Sequence, residues 1–244
     1  DRYINNESAL TAGPVADEAE SGHWVMTEWV GAIAFTEMYH LHLDLSARQQ
    51  PADSIVAEPD TNAKFLARTA PASRWKVEVR GQKVDVYKAK AGAADYSVQD
   101  VALALSSMPV QLLANVHEVF LDPNDRGSAV AQAPWNAEKT GRIYLFPSAA
   151  GRSVGVLGGI ITHEAGHVFI NVKWAGGQEP WVSYERIRNT EGNVYPSEYA
   201  RSGGAFEDFA EAIELYVWVM GVPDSRYRAL VRERFEFIDK HVFA

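Results

Sequence analysis

The chain has no cysteine among its 244 residues. Disulfide staples and thiolate metal ligands are therefore both excluded, and any metal site must be built from His, Asp or Glu. It has no basic run either. With 23 Lys and Arg against 32 Asp and Glu, the net charge is -9, so nothing on it is suited to neutralising nucleic-acid phosphates or an anionic membrane surface. Long apolar runs are missing too. The most hydrophobic early stretch, WVMTEWVGAIAF from Trp24 to Phe35, is broken by Glu28 and followed by Glu37, too short and too charged to span a bilayer. The chain opens on Asp1 and not on Met, which points to a mature form or an excised piece.

What is present is ordinary globular material, 47% hydrophobic and 11% aromatic, enough for a sizeable core. Residues 1–22 read as a loose polar arm, and a helical pattern runs from about Gly22 to Leu45. A turn-rich connector with Pro51, Pro59 and Pro71 follows. WKVEVRGQKVDVYK then alternates, with Val77, Val79, Val84 and Val86 on one face and Arg80-Gly81-Gln82 as the turn of a hairpin. Ser97 and Asp100 have capping-box spacing ahead of VALALSSM, and VHEVFL and IYLFP read as strands. A helix begins after the glycines at 155, 158 and 159, a long loop covers 174–204, and two helices close the chain. The expected fold class is α+β. The expected division is residues 1–70 as an arm and helical segment, either separate or part of the same domain, and 71–244 as a catalytic body with a small mixed sheet.

Within the helix expected after those glycines lies IITHEAGHVFI, in which His163, Glu164 and His167 are spaced as H-E-x-x-H. Positions i and i+4 share a helix face, so both imidazoles address one point and Glu164 lies one step around it. A zinc ion held there keeps a position for water and lowers its pKa toward neutrality, and the glutamate can take the proton as the water attacks a carbonyl. The third ligand is not a histidine, because VFINVKW after His167 contains none. The carboxylate candidates are Glu179, Glu185, Glu191, Glu198, Glu207, Glu211 and Glu214. Glu207 is favoured, since it lies on a strong helical pattern with Glu211 four residues later; Glu211 is its chief competitor. His40 and His42, as H-x-H on a helical pattern, point to different faces and read as structural or surface residues.

HEAGH, followed by SEYARSGGAFEDFAEAIEL and a closing helix with RFEFID, resembles the catalytic domain of anthrax lethal factor and the related secreted Pro-Pro endopeptidases, as well as metallopeptidase domains at the ends of bacterial toxins. The resemblance lies within residues 75–243 and is specific in the two motif helices. It implies a zincin-like fold and a zinc endopeptidase acting on a peptide or protein substrate, secreted or delivered outside the producing cell, with a cognate inhibitor or immunity protein as a possible partner. It also implies His163, His167 and Glu207 as zinc ligands, Glu164 as general base, Glu211 beside a ligand histidine, and Tyr199 of SEY as oxyanion donor. The Tyr199-to-Glu207 interval is one residue longer than in that family, and Tyr195 and Tyr184 are the alternatives. IYLFP is the expected sheet edge for an extended peptide. The competing reading is a non-catalytic zincin-fold binding module or a protein with a structural zinc.

Overall fold

A computed structural model describes residues 43–127, 129–134, 141–174, 179–191, 194–220 and 226–244. Most of the helix expected from Gly22 to Leu45, with His40 and His42, lies outside them. The described residues fall into two compact units: Leu45–Lys173, and Leu43–Asp44 with Trp174–Ala244. Together they are of the α+β class, and among them no helix is long and apolar enough to cross a membrane.

The unit Leu45–Lys173 is built on a six-stranded mixed sheet. In chain order its elements are β1 (Ser54–Lys64), β2 (Thr69–Val79), β3 (Gln82–Ala89), α1 (Val98–Ser106), α2 (Val110–Leu113), β4 (Glu118–Leu121), β5 (Ala131–Gln132), β6 (Arg142–Leu145) and α3 (Val154–Lys173). The strand order is β1-β2-β3-β4-β6-β5. β1, β2 and β3 are antiparallel neighbours, β3, β4 and β6 are parallel, and β5 returns antiparallel to β6. Parallel pairing of β3 with β4 requires a crossover, and α1 and α2 supply it.

The expected hairpin is present. Val77, Val79, Val84 and Val86 are all buried, and Arg80 and Gly81 turn the chain with φ of 51° and 76°. Ser97 and Asp100 form the expected capping box at the start of α1. The proline-spaced segment is not a connector. It forms β1 and the first part of β2. Pro59 falls inside the register shift between Glu58 and Thr61, on the outermost strand, where a missing N–H breaks no ladder.

The valine face of the sheet, continued by Val119, Ile143 and Leu145, carries the helices: α1 packs on β2, and α3 packs on α1, β5 and β6. The opposite face buries Ala63, Phe65, Ala72, Ala89, Phe120, Tyr144 and Phe146 around a cross-strand stack of Tyr87, Phe120 and Tyr144 with ring centroids 4.8 Å apart. The expected edge strand, IYLFP, is internal: β6 is flanked by β4 and β5, so β5 ends the sheet on that side. α3 starts at Val154, and the glycines expected to precede it lie inside it. At Gly158 a side chain would come within 2.7 Å of Ser107 Oγ just past the end of α1, so the absence of one permits the close approach.

In the other unit, residues 174–204 are not a continuous loop. They contain α4 (Trp181–Thr190) and α5 (Glu198–Gly203), followed by α6 (Ala205–Val219), α7 (Arg226–Leu230) and α8 (Arg232–His241). Its core is aromatic: Trp181, Tyr184, Phe209 and Phe237 meet in edge and stacked pairs, with Trp174 against Phe209 and Phe237.

Candidate metal centre

α3 is buried over nearly its whole length, from Gly155 to Asn171, and the H-E-x-x-H stripe lies in its middle. His163 is 1% exposed, Glu164 is 7% exposed and His167 is half-buried. The one-turn spacing brings the two Nε2 atoms to 3.2 Å, with the rings at 78° to each other. Zinc–nitrogen bonds of about 2.0–2.1 Å at a tetrahedral angle put two ligand nitrogens roughly 3.3 Å apart. The imidazole pair therefore fits a shared cation as well as it fits one shared proton.

Glu164 is held from the sheet. Its Oε2 accepts a hydrogen bond from the backbone N–H of Ala133 at 2.5 Å, immediately after β5. Two turns along α3, Asn171 Nδ2 donates to the Pro134 carbonyl at 3.4 Å, so the end of β5 is tied to the helix twice.

α6 carries the acidic candidates. Glu207 is half-buried in its first turn, whereas Asp208, Glu211 and Glu214 are fully buried, so these acids do not form a solvated face. Glu214 Oε1 accepts from the Leu43 N–H at 2.6 Å. α5 and α6 meet at Gly204, whose φ of 89° suits glycine. At the preceding Gly203, a Cβ would stand 2.6 Å from Glu207 Cγ and 3.7 Å from Tyr199 Cζ. The structure thus brings Tyr199 and Glu207 together around one bare backbone position. Ser197 starts α5 by accepting from the Ala200 N–H at 3.0 Å, which sets where Tyr199 falls on the helix.

Several sequence candidates are engaged elsewhere. Glu191 pairs with Arg234, Glu198 with Arg201, and Glu179 with Ser183 and Arg186. Tyr184 is fully buried and donates to Asp208 Oδ1 at 2.6 Å, with its phenol pKa pushed well up by burial and then by the Asp208 charge. Tyr195 faces the guanidinium groups of Arg188 and Arg234 at 5.3 and 5.4 Å. The pairing of Asp208 with Arg234 was not legible in the sequence, where Asp208 is one of several acids on a largely apolar helix.

Among the described residues, side chains suited to holding a metal ion include His163 and His167 on α3 and Glu207, Glu211 and Glu214 on α6. Imidazole and carboxylate are both ligand types that zinc accepts. Comparisons with models of known protein families, with curated proteins and with solved structures gave no match.

Proposed function

We propose that the chain is a zinc-dependent endopeptidase of the zincin type, with His163, His167 and Glu207 as ligands. The observation that carries this reading is the 3.2 Å separation of the two Nε2 atoms, with Glu164 fixed beside them by the Ala133 N–H. Two histidines that merely filled a core would have no use for an anchored carboxylate next to them.

A bound zinc ion supplies a water of near-neutral pKa and polarises the scissile carbonyl. Glu164 takes the proton of the attacking water and passes it to the departing amine. Tyr199 donates its phenolic hydrogen bond to the carbonyl oxygen as that oxygen gains charge, an interaction worth more in the transition state than in the ground state. Glu211 supports a ligand histidine, fixing its tautomer and orientation. The substrate is a peptide or protein segment in extended form, laid along the outer side of β5. We further assign the protein a working place outside the producing cell, where a cognate inhibitor would be its natural partner.

The test is zinc stoichiometry by mass spectrometry together with cleavage of a diverse peptide library, for the parent and for Glu164→Ala. The parent is expected to bind one zinc and cleave, and Glu164→Ala to keep the zinc and lose hydrolysis. Full activity in Glu164→Ala would sink the mechanism. One zinc without cleavage in the parent would select the alternative, a binding module or structural-zinc protein.

A further inference from the structure

We propose that the backbone N–H of Ala133 is a positioning group for Glu164, so that strand β5 sets where the catalytic carboxylate stands. The proposal rests on the peptidase reading of Glu164 and assigns that site a group that H-E-x-x-H does not contain.

The contact joins residues 31 positions apart and, at 2.5 Å, is closer than the ordinary range of about 2.7–3.2 Å for an N–H donating to an oxygen. The direction of the donor is fixed on both sides. Ala131 and Gln132 pair with Leu145 and Tyr144, and the Phe146 N–H donates to the Val130 carbonyl at 3.0 Å, so the strand enters Ala133 in a set orientation. On the other side Pro134 restricts Ala133 to extended backbone, and the Pro134 carbonyl is held by Asn171 at 3.4 Å. Glu164 and Asn171 are seven residues apart on α3, hence on one face, and both reach the same strand end.

A glutamate side chain has three rotatable bonds, and a proton acceptor must stand within a few tenths of an ångström of its working position. One fixed main-chain donor on Oε2 removes most of that freedom without adding a titratable group. Every residue except proline carries such a donor, which is why no residue type in the sequence signals it. Because β5 ends the sheet on that side, a substrate strand seated along it would share the element that holds the base.

The decisive experiment replaces the Ala133 amide by an ester, incorporating lactic acid at that position so that the side chain stays and the N–H goes. The expected result is a fall in kcat of roughly ten- to a hundredfold with KM and zinc content unchanged. An unchanged kcat would overturn the proposal. A second measurement needs neither zinc nor activity. In the metal-free protein, Glu164→Gln replaces a charged acceptor by a neutral one and should move the Ala133 amide proton upfield in the 1H–15N spectrum. An unmoved Ala133 resonance overturns the tether even if the ester variant is impaired. If the parent cleaves no peptide, the peptidase reading fails, while the Ala133 resonance still decides whether the strand holds Glu164.

Discussion

Arg234 on α8 grips Asp208 on α6 with two hydrogen bonds, Nε to Oδ1 at 2.8 Å and Nη2 to Oδ2 at 3.0 Å, and both side chains are fully buried. Tyr184 from α4 donates to the same carboxylate, and Glu191 takes the other side of the guanidinium. Burial pushes the Arg234 pKa down, but the Asp208 and Glu191 carboxylates outweigh it and the net shift is upward. Removing one partner strands a charge in the core. Arg234→Leu should cost about 3–5 kcal/mol in urea unfolding, whereas Arg234→Leu with Asp208→Leu should cost much less than the two single changes summed. Additive costs would show that the pair is not coupled.

Zinc should stabilise the fold by mass action. At free zinc a hundredfold above its dissociation constant the gain is about 2.7 kcal/mol, visible as a rise of several degrees in Tm and reversed by a chelator. His163→Ala and Glu207→Ala should each abolish most of the rise. A zinc-dependent rise of parent size in either variant would remove that residue from the ligand set.

The close approach of α3 to the end of α1 gives a packing test. Gly158→Ala improves helix propensity by about 1 kcal/mol, yet its Cβ would meet Ser107 Oγ at 2.7 Å, and that hydroxyl is itself committed to the Ala104 carbonyl. A net loss of about 1–3 kcal/mol is expected. Adding Ser107→Ala should recover part of it. Stabilisation by Gly158→Ala alone would mean that the helices have slack.

Tyr96 fixes a pH window. Burial pushes its phenol up to about 12, against the lowering effect of Arg152, while its hydroxyl donates to the Ala149 carbonyl at 2.7 Å. The folded chain therefore holds this proton more tightly than the unfolded chain does. The stabilisation is complete below about pH 10, the ordinary phenol value, and is lost as pH rises toward 12. Denaturant midpoints at pH 9, 11 and 12 should fall less steeply for Tyr96→Phe than for the parent. Tyr216, also pushed up to about 12 by burial, keeps some slope in the variant. Identical slopes would contradict the assignment.

Where periodicity and burial agree, the sequence was readable. The four valines of the β2–β3 hairpin and the cap at Ser97 follow from local pattern alone, and IITHEAGHVFI declared its helix by the spacing of its two imidazoles. What was not legible depends on long-range partners. Pro59 looked like a breaker because nothing local says that its strand is outermost and shifts register there. α4 was hidden because Trp181 and Tyr184 read as loop aromatics until Phe209 and Phe237 meet them. The Ser197 cap of α5 was visible in principle, as a serine followed by an acidic first turn. The candidate site divides the same way: its side chains were named from sequence, whereas the Ala133 N–H belongs to no residue type and needed the pairing of β5 with β6.

Gly203 has no side chain where the Glu207 side chain passes, with the Tyr199 ring beyond it. The two respond differently to a change at this position. A methyl group introduced there would have to displace the Glu207 side chain, at 2.6 Å from its Cγ, while only touching the Tyr199 ring at 3.7 Å, so the bare backbone is a condition on where the carboxylate stands.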